Sequence, residues 1–477
     1  SPTPRIFHVL SATSIGVALT LMNTSVIDVA LPFIRKDFNA TSGATSAVLL
    51  SYMIVNVILL LIFGRIGDMV GRKRIYIGGL IAFAITSALC ALSPGIWLLV
   101  ASRSLMAIGA AAILANTTAL IVDALSPRYA AEALGYNVLI ASCAQVLGPL
   151  VGSFILTLVD WRYIFLANIP LAILGVFWSH AVLPDIRPQA REAFDIKGSV
   201  LSFACLTILV ISVTQIGLSG RISTAVQIEA VVFFICLYYL VKTQQSIRHP
   251  LVDLSLFSDR SRTIAYLTGF VVSGVRFSIV LIISLYFQIY LQASPLMASS
   301  RLILIAVGLG AAAPVMGRLL QHELDPNILA ALGLGITIAG VICLRFTMMT
   351  DMTGMALCAS LLIMGVGIGI FGTPNTSSIL RNVPATRRGI ANGLRTMTQN
   401  CGSTVCVSIC LAILNMALPP TDKYLLYVAG EPEYHNNING MLLNGFIHSI
   451  DFLLILLALA ACVTVNRFSY ARARNKG

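Results

Sequence analysis

An all-α integral membrane protein of about fourteen spanning helices is the fold class this sequence predicts, and three observations carry the prediction. Of 477 residues, 57% are hydrophobic and 10% charged. A soluble domain carries roughly 25% charged residues, so the supply here cannot cover an aqueous surface. The apolar residues fall into runs as long as a bilayer core is thick, about 20 residues at about 1.5 Å each. The Lys and Arg side chains gather in alternate loops between those runs.

Taken in order, run 8–33 holds Thr13, Thr20, Thr24 and Asp28 at helical spacing, and run 44–63 leads into a glycine-containing turn. Runs 74–92 and 96–124 follow, the second with Arg103 in it; run 132–158 contains Pro149, and run 163–183 begins after Asp160-Trp161-Arg162. The polar stretch Pro184–Lys197 then interrupts the rhythm before a further pair, 197–218 and 224–241. Run 263–290 carries Arg276; runs 298–320, 327–347 and 354–378 come next, and run 388–416 carries Arg395. The last run, 445–465, follows Pro419–Asn444, a polar segment with Glu431, Glu433 and several Asn that is expected to fold over the outer mouth.

An even number of spans puts both ends on one side. Arg65, Arg72, Lys73, Arg74, Arg128, Arg187, Arg191, Lys197, Lys242, Arg248, Arg260, Arg262, Arg318, Arg381, Arg387, Arg388 and the basic C-terminal residues fall on that side. Opposite stand only Arg35, Lys36, Arg162, Arg221, Arg301, Arg345 and Lys423. This bias predicts cytoplasmic termini and a multi-pass protein of the cell (inner) membrane. It also explains the net charge of +12 without a nucleic-acid partner, since the basic residues are scattered through short loops. No cleavable signal pattern precedes the first run, and the chain opens at Ser1 rather than Met, so residues are expected upstream. The ten cysteines sit inside apolar runs with no His or acid beside them, which reads as small buried hydrophobes. No metal site, cofactor, paired catalytic acids or phosphate loop is expected, so an enzyme is disfavoured.

Between the second and third runs the chain reads Gly64-Arg-Ile-Gly-Asp68-Met-Val-Gly71-Arg72-Lys73-Arg74. Glycines permit a tight turn, an acid can cap a helix start, and the basic cluster anchors the inner face. This spacing resembles the loop 2–3 signature of the major facilitator superfamily. The resemblance implies inner-gate contacts for Gly64, Asp68, Gly71 and Arg72, with Asp123 at the cytoplasmic end of helix 4 as partner. In helix 5, Gly148-Pro149-Leu-Val-Gly152 resembles the antiporter motif of the superfamily's exporters, with Ala144 and Ser153 in place of its outer glycines. Asp160-Trp161-Arg162, His249-Pro250-Leu-Val-Asp253 and Gly389-x-Ala391-x-Gly393 are similar to segments of the fourteen-helix drug:proton antiporter family. In the first helix that family places Asp where Asn23 stands and Asn where Asp28 stands. The resemblance implies two six-helix bundles with two additional helices between them: 1–183, an inserted pair with its linkers over 184–262, and 263–477.

Charges inside the spans are functional candidates, because each costs about 2.5–3.5 kcal/mol at mid-bilayer on insertion scales. Asp28 lies on a Thr stripe near the outer end of helix 1, and Arg103 lies a similar distance from the outer end of helix 4. Arg103 also matches the family's fourth-helix arginine, with Met106 and Ala107 replacing Gln and Gly. An Asp28–Arg103 pair is the expected proton site. Arg276, with Ser273, Ser284 and Gln288 near its face, and Arg395, in line with Asn392, Gln399 and Gly402, cannot release a proton and suit either an anionic substrate group or pairing with a lone acid. Thr24, Arg276, Gln288, Arg395 and Gln399 are the expected substrate contacts. The resemblance implies a proton-coupled exporter of small amphipathic compounds, drugs foremost, working by alternating access. The alternative is a porter for a specific anionic metabolite, and a channel fits the Gly/Pro-broken, two-half pattern less well.

Overall fold

The computed structural model describes residues 2–40, 42–185, 195–219, 221–247, 254–291, 293, 295–320, 325–349, 354–380, 383–384, 387–417 and 436–474; the Asp28 side chain lies outside the description. The helices are α1 (Pro2–Asp37), α2 (Ser42–Val70), α3 (Arg72–Ala91), α4 (Ile96–Ala124), α5 (Pro127–Leu158), α6 (Arg162–Leu166), α7 (Asn168–Val182), α8 (Ile196–Ser219) and α9 (Thr224–Ser246). After them come α10 (Arg260–Leu285), α11 (Pro295–Leu319), α12 (Pro326–Met349), α13 (Met355–Leu380), α14 (Arg388–Ala417) and α15 (Asn436–Arg474). Among the described residues, fourteen spans are long and apolar enough to cross a membrane, with α6 and α7 together making the sixth.

Local chemistry explains several boundaries. Gly71 separates α2 from α3 at φ 112°, a conformation that side chains with a Cβ rarely adopt. The sixth span breaks at Ala167 because Pro170 has no N–H to return to the carbonyl of Leu166. The Asp259 carboxylate accepts the Ser261 N–H at 2.9 Å at the start of α10, and the Ser223 hydroxyl accepts the Val226 N–H at 3.3 Å at the start of α9. The ninth span finishes in a π-helical turn, Tyr286–Tyr290.

The helices outrun the apolar runs at several ends. α1 starts at Pro2, and α15 begins at Asn436, so residues 436–444 are helix and not part of an external loop. Residues 419–435 of that expected loop, and 186–194 and 248–253 of the expected linkers, lie outside the described residues. The physical reason is simple: hydropathy marks the part of a helix in hydrocarbon, while i→i−4 bonding continues into the headgroup layer.

Burial falls into two large apolar clusters. One draws on residues from Ile6 to Leu183 and the other on residues from Val272 to Ala460. α5 packs against α11 and α2 against α14, and these contacts join the two sets of helices. α8 packs on α9 and α14 and touches α2. The Asn415 side chain donates to the Gly217 carbonyl at 2.9 Å where α8 meets α14. Asp195 accepts Gly198 N–H at 2.7 Å and Gln244 Nε2 at 2.6 Å, and Glu229 accepts the Ser212 hydroxyl at 2.6 Å, so both ends of the α8–α9 pair are tied together.

Candidate functional site

A cavity of about 170 Å³ lies between the two clusters. Its wall takes Val17 and Leu21 from α1, Thr117 and Thr118 from α4, Asn137 and Ser142 from α5, and Ser273, Arg276 and Phe277 from α10. Phe371 and Thr376 come from α13, and Arg395, Thr396, Gln399 and Asn400 from α14. Among the described residues its only charged wall groups are Arg276 and Arg395, and no carboxylate faces it.

The two arginines differ in how they are held. Arg395 donates to Asn392 Oδ1 and Gln399 Oε1, each at 3.1 Å, and to the Thr118 hydroxyl across the molecule at 3.3 Å. All three acceptors are neutral. The Arg276 guanidinium lies 4.8 Å from the Phe277 ring centroid and has no hydrogen-bond or ion-pair partner among the described residues. A cation fixed in the middle of a span without a counter-charge leaves most of its electrostatic demand to whatever enters the cavity.

Of the five expected substrate contacts, Arg276, Arg395 and Gln399 line this cavity, and Thr24 and Gln288 do not. The Thr24 hydroxyl donates to the Thr20 carbonyl at 2.9 Å. Thr13 and Thr20 likewise donate to their own helix, at Val9 and Gly16. Gln288 falls in the π-helical turn, where an extra residue per turn moves side chains off the α-helical register, and its amide donates to Ser284 at 2.8 Å.

On the side of the termini the loop motif assembles a charge network. Arg72 reaches the Asp68 carboxylate at 2.7 Å and also pairs with Asp123. Asp123 takes a second partner, Arg388, at 3.1 Å, and Asp68 accepts the backbone N–H of Ile390 at 3.0 Å. The Asp68 side chain is 1% exposed and that of Asp123 is 8% exposed, so both depend on these partners for solvation. The network ties α2, α3 and α4 to the start of α14. Arg318 on α11 adds a bond to Glu132 on α5 at 3.2 Å. Lys73 caps the end of α7 by donating to the carbonyls of His180 and Leu183. Gly64 is buried beside this cluster. Sequence reasoning missed Arg388 and the Ile390 N–H; the signal was the basic pair Arg387-Arg388 immediately before Gly389-x-Ala391-x-Gly393.

Arg103 is fully buried away from the cavity. It hydrogen-bonds Asn23, sits 4.3 Å from the Tyr52 ring centroid and 5.9 Å from that of Phe165, and donates weakly to the Val48 carbonyl. The structure therefore places Asn23, the position of the family's acid, against Arg103; the Asp28 side chain lies outside the described residues. In α5, a Cβ on Gly148 would meet Ser25 and the Met22 carbonyl, and one on Gly152 would meet Val26 at 2.8 Å. Gly148 and Gly152, flanking Pro149, thus let α1 and α5 approach closely.

The family model described as Major Facilitator Superfamily matches residues 13–407. The riboflavin transporter RibZ of Clostridioides difficile is 29% identical over 396 residues, covering 82% of this chain and 84% of that protein. The multidrug resistance protein Stp of Mycobacterium tuberculosis is 26% identical over 420 residues, 86% of this chain and 76% of that protein. In fold, the chain is similar to the human organic anion transporter MFSD10, with a TM-score of 0.68 at 14% identity, over 96% of this chain and 99% of that one.

Proposed function

The chain belongs to the major facilitator superfamily and is a membrane transporter, not an enzyme; from that premise we propose that it is a proton-coupled exporter of small amphipathic compounds whose polar end is anionic. The observation that carries this reading is Arg276, without a hydrogen-bond or ion-pair partner among the described residues, facing a cavity that also holds Arg395 and, among the same residues, no acid. An anionic group beside Arg276 supplies the missing counter-charge, and the apolar wall from Val17, Leu21, Phe277 and Phe371 takes the remainder of the molecule. The names of the relatives, a riboflavin transporter and a multidrug resistance protein, support a substrate of this size and mixed polarity.

Alternating access follows from the division into two apolar clusters with a cavity between them. Opening toward the termini requires the Asp68–Ile390 and Asp123–Arg388 bonds to break, while the cavity stays near the bilayer midplane. Proton entry supplies the work, at about 2.3 kcal/mol per charge per 100 mV. A departing monoanion moves charge in the same favourable direction. Asp28, modulated by Arg103, is the proposed proton carrier, and the positive-inside bias orients the termini to the cytoplasm of the inner membrane.

The second reading, a porter dedicated to one anionic metabolite, rests on the same two arginines. The test is a pH-dye assay in proteoliposomes with a panel of anionic, neutral and cationic amphiphiles. Proton flux with several anions supports the exporter, flux with one anion supports the dedicated porter, and flux with cations alone refutes both.

A further inference from the structure

A second cavity, of about 190 Å³, lies on the opposite flank of α1, between α1, α5 and the α6–α7 span. It shares no wall residue with the central cavity. Its wall is apolar except for Asn23 and Asn168, and on both of these the amide nitrogen is buried with no hydrogen-bond partner among the described residues. Asn23 is 2% exposed. Its orientation is decided by Arg103: a guanidinium only donates, so Oδ1 must face Arg103 and Nδ2 is left on the other side. An amide donor left unmet in apolar surroundings carries its full desolvation penalty, so two such donors in one cavity call for a guest that accepts. The space exceeds the roughly 150 Å³ apolar cavity that holds a benzene-sized molecule.

Where the cavity opens identifies the guest's source. Val151 and Leu171 in its wall are 37% and 47% exposed and belong to spans, so this flank faces the bilayer. The wall residues of α1 and α5 lie in the half of the membrane away from the termini. We infer that this cavity is a lateral lipid site, in which an acyl chain of an outer-leaflet phospholipid enters between α5 and α7 and its ester carbonyl accepts from Asn23 and Asn168. An occupant here touches the residue that holds Arg103, so bilayer composition becomes a modulator of that arginine's setting.

The test is native mass spectrometry of the full chain in detergent, titrated with dioleoyl phosphatidylglycerol and with its dialkyl-ether analogue, which lacks the carbonyls. The tightest lipid adduct is expected to favour the ester by about fivefold, the net worth of one hydrogen bond. Asn168→Leu should erase that preference, and Leu171→Trp, a change at an exposed wall position that leaves the core intact, should weaken the adduct. Equal retention of ester and ether lipid, as a bridging water would produce, overturns the inference. So does an adduct unaffected by Leu171→Trp, or one displaced by an anion that loads the central cavity.

Discussion

Asp68 on α2 accepts the backbone N–H of Ile390 in the first turn of α14 at 3.0 Å, a bond between groups 322 residues apart in sequence. The carboxylate thereby sits at a helix N-terminus, where unpaired N–H groups and the helix dipole favour negative charge. The same carboxylate holds Arg72, which places Arg72 against Asp123. One acid therefore organises both the turn that carries it and the contact with the opposite set of helices.

Asp68→Asn keeps the shape and removes the charge. Charge-assisted bonds are worth about 1.5–3 kcal/mol, so the closed inner side should lose roughly ten- to hundredfold of its relative population. The expected outcome is strongly reduced transport at normal expression, with increased labelling of a cysteine introduced on the face that carries the termini. Unchanged flux would leave the loop with a role in topology alone.

Arg388→Ala should weaken the same closure without touching the loop motif. Its coupling to Asp123 is expected at about 0.5–3 kcal/mol in a double-mutant cycle read from substrate affinity or thermal stability. Additive effects of Asp123→Asn and Arg388→Ala would show that the bond between them carries no coupling.

Arg276→Gln separates substrates by charge. Loss of one charge-assisted contact, about 1.5–3 kcal/mol, should lower anion affinity by roughly ten- to hundredfold while neutral amphiphiles bind as before. Arg395→Gln should affect both classes, because Arg395 also bonds Thr118 across the cavity. Tight binding of quaternary ammonium compounds by the unaltered protein, with anions ignored, would contradict the charge argument.

Asp28→Asn should abolish proton-driven accumulation and leave downhill substrate exchange measurable. Because Asn23 occupies the place beside Arg103, the double exchange Asn23→Asp with Asp28→Asn moves the acid to that arginine and is expected to restore coupling. Full proton-coupled transport by the Asp28→Asn protein would redirect the search to Asp123 or Glu132.

Much of the architecture was legible before any coordinates, and the residues show why. All fourteen apolar runs overlap spanning helices among the described residues, including the inserted pair α8 and α9. The loop signature also predicted the Asp68–Arg72–Asp123 contacts. Partner choice was less legible. Arg103 meets Asn23, Asp123 takes Arg388 as well as Arg72, and Gln288, in a π-helical turn, bonds Ser284 and does not line the cavity.

The sequence by itself determined the spans, their alternation and the loop chemistry, because the cost of placing a residue in hydrocarbon is a local property summed over about 20 neighbours. Only the tertiary structure decided that Arg276 has no counter-charge among the described residues, that Asp68 caps the start of α14 through the Ile390 N–H, and that Asn23 lines a lateral cavity. Those outcomes depend on which helix faces lie together across hundreds of residues. A change of one residue in helical register rotates a side chain by about 100°, so composition and spacing alone leave them open.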